Sequence, residues 1–313
     1  MIPDFPPPGT APPAGLETAR GHRLHASGQA LLHDVARRVR AGYTWHTGGE
    51  VPAEKVLGLV AKLSTAHGTH QDRLTRHRRK VAVEPAAVLF VWPVRNDPQG
   101  FTTCFRFLLL ATEPLEGERL QDGRRKPVRV NLHPGETAEF HLILTGRPWK
   151  RGESRKGPPP VVYEWKLAPR ALQVLHERLA VAARGEASQL LQAVAAYSAL
   201  PMTGPYRRQL RAALTAVRPI WKANQKPSVK ALRERIKQGV TPDPFRSLPF
   251  SVGFPVMYDD PPETLADHLA AAARLRSETK RQQTLKQKAL HAAPALPGEP
   301  APDQPADAQE ATP

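Results

Sequence analysis

The hydrophobic pattern of this 313-residue chain changes period twice. Up to Pro85, apolar residues return every three or four positions. From Ala86 to Leu167 they form short continuous runs or alternate, and from Pro169 onward they return every three or four again. A helix turns once per ~3.6 residues and a strand changes side at every residue, so neither pattern can be refolded as the other without turning its apolar set toward water. Helices, then strands, then helices is the order of an α+β chain; a parallel α/β sheet needs the two to alternate. The spacing predicts N-terminal helices, a central antiparallel sheet of about four strands and a C-terminal helical bundle, between disordered ends.

Leu31, Leu32, Val35 and Val39 predict a helix over 27–41 that Gly42 can end. A turn over 44–50 leads to Pro52, which suits a first helical position, and Val56, Leu59, Val60 and Leu63 form the next stripe, ended by Gly68. Residues 86–94 and 101–111, joined across Asn96-Asp97-Pro98, predict a buried hairpin. Residues 139–144 and 161–167 predict a second, with Val161, Tyr163, Trp165 and Leu167 on one face. Further helices follow around Leu172, Leu175 and Leu179, around Leu190, Val194 and Tyr197, over 205–222, where Pro219 should kink or stop the helix, and after Ser228 as an N-cap. The division expected is a disordered proline-rich segment at 1–26, a basic α+β core at 27–240, an irregular proline-rich crossing with a long helix at 241–291, and a disordered acidic tail at 292–313. The second half of the last helix is nearly all polar and should project into solvent.

The net charge is +16. The last 22 residues hold Glu299, Asp303, Asp307 and Glu310 and no Lys or Arg, so the rest of the chain carries about +20. A field of that sign attracts phosphates and speeds encounter with them. Three clusters concentrate it. Arg147, Lys150, Arg151, Arg155 and Lys156 fill the connection between the last two predicted strands, together with Trp149, a candidate for stacking on a base. Arg73, Arg76, Arg78, Arg79 and Lys80 are five cations in eight residues, too polar to fold onto an apolar core. Arg124, Arg125, Lys126 and Arg129 are the third group. Residues 205–222 and 228–239 also carry many cations; a basic-faced helical hairpin explains them better than a helix-turn-helix, because the connection between them is long.

Enzyme signals are weak. The chain has no Gly-x-Gly-x-x-Gly, Walker loop, His-Glu-x-x-His or Cys-x-x-Cys. No cofactor or metal site is expected. Asp259, Asp260, Glu263, Asp267 and His268 gather near a helix start, where capping accounts for most of them. The single cysteine, Cys104, sits in an apolar run and reads as a buried inert thiol. No stretch of about 20 apolar residues and no secretory-type N-terminus is present, so a soluble cytoplasmic chain is expected.

Residues 67–80 (His-Gly-Thr-His-Gln-Asp-Arg-Leu-Thr-Arg-His-Arg-Arg-Lys), the apolar hairpin after them, residues 115–122 (Leu-Glu-Gly-Glu-Arg-Leu-Gln-Asp) and the strand Tyr163-Glu164-Trp165-Lys166 running into a helix resemble, in layout, uncharacterised accessory proteins of bacterial plasmids and conjugative elements. The resemblance spans about residues 30–220. It implies a context of mobile DNA (replication, transfer or maintenance) and supplies no catalytic residues. The expectation is a non-catalytic protein that binds DNA or RNA. A protein-interaction module with a basic surface, engaging its partner through the last helix, is the rival. A nuclease is a third reading.

Overall fold

The computed structural model describes residues 16–95, 102–132, 138–146, 161–201, 203–245 and 263–292. In chain order these hold α1 (Leu16–Gly21), α2 (Gly28–Arg40), β1 (Trp45–Pro52), α3 (Val56–His67), α4 (Arg73–Val81), β2 (Ala87–Arg95) and β3 (Thr102–Ala111). Then come β4 (Gln121–Asp122), β5 (Arg129–Asn131), β6 (Glu139–Gly146), β7 (Val161–Leu167), α5 (Pro169–Arg184), α6 (Ala187–Ser198), α7 (Gly204–Ala223), α8 (Pro227–Lys237) and α9 (Leu265–Ala292). The chain is α+β, with an antiparallel sheet of four strands ordered β2-β3-β1-β4 and helices at both ends. The second hairpin belongs to a separate three-stranded antiparallel sheet, β5-β6-β7.

The continuous apolar runs of β2 and β3 have a structural cause: both faces of this hairpin are buried. Val88, Phe90 and Trp92 of β2 and Leu108 and Leu110 of β3 enter one core with α2, the second sheet and α5 to α8. Ala87, Leu89 and Val91, with Phe105, Leu109 and Ala111, enter another with α1, α3 and α9. Each large side chain buried this way contributes about 1.5–3 kcal/mol, so a polar residue on either face would be costly. Register is pinned by ladders such as Phe90↔Leu108 and Leu142↔Trp165. Two indoles tie the layers together: Trp92 Nε1 donates to Asn131 C=O at 3.0 Å and Trp165 Nε1 to Leu32 C=O at 2.7 Å.

Four expectations are corrected. Residues 44–50 are not a turn: β1 pairs with β3 residue by residue from Trp45↔Ala111 to Pro52↔Cys104, and Pro52 ends that strand rather than starting a helix. The inner edge of β3 needs a hydrogen-bonding partner, and this demand outweighs the poor strand propensity of Gly48 and Gly49. Within 1–26, residues 16–26 are not all disordered: α1 buries Leu16 and Ala19, and Leu24 is buried too, in the second core. A short backbone bridge holds this segment, with Leu24 N–H to Glu263 C=O at 2.9 Å and Leu265 N–H to His22 C=O at 2.8 Å. Pro219 does not stop α7, which continues to Ala223 and buries Val217 and Trp221 on either side of it. Ser228 does not cap its own helix. Its Oγ accepts the Ala187 N–H at 3.3 Å and donates to the Glu186 carboxylate, so it caps the start of α6 instead.

Among the described side chains, the distal half of α9 buries none. Ala272 is its last buried residue among those described, and Leu275 and Leu285 beyond it are more than half exposed. Among the described residues, no helix is long and apolar enough to cross a membrane.

Candidate nucleic-acid interface

The cluster from Arg73 to Lys80 forms α4, none of whose residues is buried. Asp72 starts the helix: its carboxylate accepts the Thr75 N–H at 2.8 Å, and this bond, together with the Thr75 hydroxyl and Arg76, holds its pKa below the usual range. Three of the five cations fasten the helix to the body. Arg76 donates to Gln71 C=O, Arg79 to His67 C=O at 3.4 Å and to Glu84 at 3.3 Å, and Lys80 to Ala41 C=O. Arg73 and Arg78 are exposed and have no partner among the described residues.

The cluster at 124–129 lies on the turn between β4 and β5. Asp122 organises it: its carboxylate accepts the Arg124 N–H at 2.9 Å, and its carbonyl accepts the N–H of Arg125 at 3.0 Å and of Lys126 at 2.9 Å. With these three backbones tied inward, the Arg124, Arg125 and Lys126 side chains stand exposed, as does Arg129, none with a partner among the described residues. Gly123 makes the turn possible. Its N–H reaches Thr44 C=O at 2.7 Å, and a Cβ there would come within 2.7 Å of the same oxygen.

The two clusters meet on one short segment. Lys80 hydrogen-bonds Ala41, Gly123 hydrogen-bonds Thr44, and β4 pairs with Trp45 and His46. Positions 41 and 44 are at most about 10 Å apart along an extended chain, so α4 and the β4–β5 turn flank the same few residues. Beside the turn opens a cleft of about 660 Å³ between the two sheets, with Lys126 and Arg129 in its lining and the side-chain-free Gly48 and Gly49 in β1. Arg106 also lines it, but is committed to Glu50 at 2.7 Å and Asn131 C=O at 3.1 Å. His46, buried in the same lining, bonds Lys126 C=O through Nε2 at 3.2 Å. Burial pushes its pKa down, so it does not add to the positive charge at neutral pH.

Arg147, Trp149, Lys150, Arg151, Arg155 and Lys156 lie outside the described residues. Their stem is described: β6 and β7 pair up to Gly146↔Val161. The antiparallel register of β5 on β6, from Asn131↔Glu139 to Arg129↔His141, carries the chain before Arg129 toward the Gly146 end of this sheet.

The other candidates resolve differently. In the acidic group, Asp259 and Asp260 are outside the described residues. Asp267 accepts the Thr264 hydroxyl at 2.6 Å and its N–H at 3.2 Å and gives its own N–H to Thr264 Oγ1 at 3.1 Å, which is capping chemistry, and Glu263 pairs with His268 at 2.9 Å. Cys104 is half-buried rather than buried; burial, then the Glu50 charge, pushes its thiol pKa up. In the helical pair, Arg233 stacks on Trp221 at 5.3 Å and donates to its carbonyl at 3.0 Å, so it clamps the α7–α8 connection. His46 and Gly123 were missed by sequence reasoning. Their neighbours come from strands too short or too glycine-rich to carry a period-2 signal. Compared with protein-family models, curated proteins and solved structures, the chain matches none.

Proposed function

We propose that this chain is a non-catalytic nucleic-acid-binding accessory protein, gripping phosphates through the face made by α4 and the β4–β5 turn. The supporting observation is the convergence of two basic clusters, distant in sequence, on residues 41–46, with Arg73, Arg78, Arg124, Arg125, Lys126 and Arg129 exposed and without partners among the described residues. Exposed cations without partners among the described residues, on a chain of net charge +16, are what phosphate contact requires. The resemblance in layout to plasmid and conjugative-element proteins makes mobile DNA the context in which to look.

The test is fluorescence anisotropy with double-stranded DNA, single-stranded DNA and RNA at several salt concentrations. Affinity for at least one of them should fall steeply with salt, with a log–log slope of about −0.9 per duplex phosphate contacted. Replacing Arg124, Arg125 and Lys126 by alanine should flatten that slope by about two to three contacts and leave the melting temperature unchanged. Absence of binding to all three at about 50 mM salt would overturn the reading. The exposed Leu275 and Leu285 of α9 favour one rival, a helix that docks on a protein partner. That rival predicts capture by an acidic protein that nucleic acid does not displace.

A further inference from the structure

Next to the N-terminal end of α4 lies a second cleft, of about 480 Å³, between that helix, α2, the α1–α2 connection and β2. Arg38 enters it from α2, Arg73 and Arg76 from α4, and His22 from the connection, while Val88, Leu89 and Phe90 of the edge strand β2 form a wall. Asp34 also lines it, but both of its oxygens are already engaged: Oδ1 by Arg37 at 2.6 Å and Oδ2 by His25 at 3.3 Å. Asp72 accepts from Thr75, and its charge, with that of Asp34, offsets only part of the positive charge contributed by Arg38, Arg73 and Arg76. Arg38 approaches Asp34 only to 3.6 Å, beyond hydrogen-bond length, and its side chain is 19% exposed.

What remains is surplus positive charge facing inward. The Nε–H groups of Arg38 and Arg76 are both buried without an acceptor among the described residues. Such donors are costly unless something accepts from them. The two guanidinium charges also oppose each other. Burial first, and then the Arg38 charge, weaken the hold of Arg76 on its proton. Arg73, exposed at the mouth, adds a third positive charge. His22 is pushed down to about 4 by burial and by His25, so it offers a neutral hydrogen-bonding ring.

We infer that this cleft binds a phosphomonoester, either the end of a nucleic-acid strand or a free nucleotide, with Arg38, Arg73 and Arg76 on the phosphate and the β2 wall beside the sugar or base. A terminal phosphate carries about −1.5 to −2 charge and three acceptor oxygens near neutral pH, which suits three guanidinium groups better than a carboxylate does. The cleft lies within the roughly 300–1,000 Å³ of small-ligand sites, which leaves room for more than bare phosphate. The strand-end form of this inference rests on the nucleic-acid reading above; the free-nucleotide form does not.

The experiment uses the full chain and four probes: one single-stranded oligonucleotide with a 5′-phosphate, the same strand with a 5′-hydroxyl, adenosine monophosphate, and inorganic phosphate. The phosphorylated strand should bind about tenfold tighter than its hydroxyl twin, the scale of one charge-assisted contact, and adenosine monophosphate should erase the difference by competition. Arg76→Gln should abolish the preference. Arg73→Gln, at the exposed mouth where it cannot unfold the chain, should reduce it. The alanine variant of Arg124, Arg125 and Lys126 should weaken both strands equally and keep the ratio. Binding of adenosine monophosphate without binding of either strand supports the cleft and overturns the nucleic-acid reading. Equal affinity for the two strands, with no binding of adenosine monophosphate or inorganic phosphate, overturns the cleft and leaves that reading standing. A phosphate preference that survives both Arg76→Gln and Arg73→Gln also overturns it.

Discussion

At the scale of single residues, two positions carry unusual physical chemistry. Asp34 is a buried carboxylate, 2% exposed. Burial by itself would raise its pKa. The hydrogen bonds from His25 and Arg37 and the charges of Arg38 and Arg37 outweigh that and hold it at about 2, against an ordinary 3.8. Its folded pKa therefore lies below its unfolded one, and the stabilisation is present above about pH 4 and lost as pH falls through 2. The difference corresponds to about 2 kcal/mol. Denaturant titrations should show that loss between pH 4 and 2 in the native chain and not in Asp34→Asn, which should itself be destabilised because Arg37 and Arg38 lose their counter-charge. Val83 is the other. It ends α4 in the left-handed region at φ 59°, with the 83→80 and 84→79 backbone bonds that close a helix this way. A β-branched residue pays for that conformation, and at 86% exposure its side chain recovers nothing by burial. Val83→Gly should raise stability by about 1 kcal/mol; an unchanged or lower denaturation midpoint would show the strain to be absent.

At the scale of elements, α4 stands apart from the other helices. A typical helix is held by a buried apolar stripe. α4 has no buried residue and is held by arginine and lysine reaching backbone carbonyls at Gln71, His67 and Ala41. Contacts of this exposed or part-buried kind contribute about 1 kcal/mol each, so α4 should open locally well before the protein unfolds. The double variant Arg79→Ala, Lys80→Ala should speed amide exchange throughout residues 73–81 and lower global stability by no more than about 1 kcal/mol. Unchanged exchange in α4 would mean that something other than these side chains holds it. By contrast, β2 and β3 lie between two cores and should be the last amides to exchange.

At the scale of the molecule, the two cores share the sheet that holds β2 and β3. The distal half of α9 belongs to neither core. Ending the chain after Ser277 should leave the thermal midpoint unchanged, because the last residue with a buried side chain among those described is Ala272. A large drop would place a stabilising contact beyond that point. The same truncation removes Glu299, Asp303, Asp307 and Glu310, which as a tethered anion would compete with phosphate for the basic face. If they do, ending the chain after Ala292 tightens nucleic-acid binding, and a tail that is only a linker leaves it unchanged.

The hydrophobic period alone was enough to read the α+β order and the hairpins β2–β3 and β6–β7, because apolar spacing reports which face of an element is buried. The same spacing also placed α2, α3 and α5 to α8, and the density of cations in residues 73–80 marked a surface element. Local spacing carries no record of which distant segments satisfy one another. β1, with Gly48 and Gly49 in it, exists because β3 needed a partner on its inner edge. α1 is ordered because Leu16 and Ala19 find α3 and α9 to cover them, the latter nearly 250 residues away in the chain. α4 and the β4–β5 turn flank the same few residues only because Lys80 reaches Ala41 and Gly123 reaches Thr44. The tertiary structure decided these, since burial and backbone hydrogen bonding are settled between residues close in space, whatever their separation along the chain.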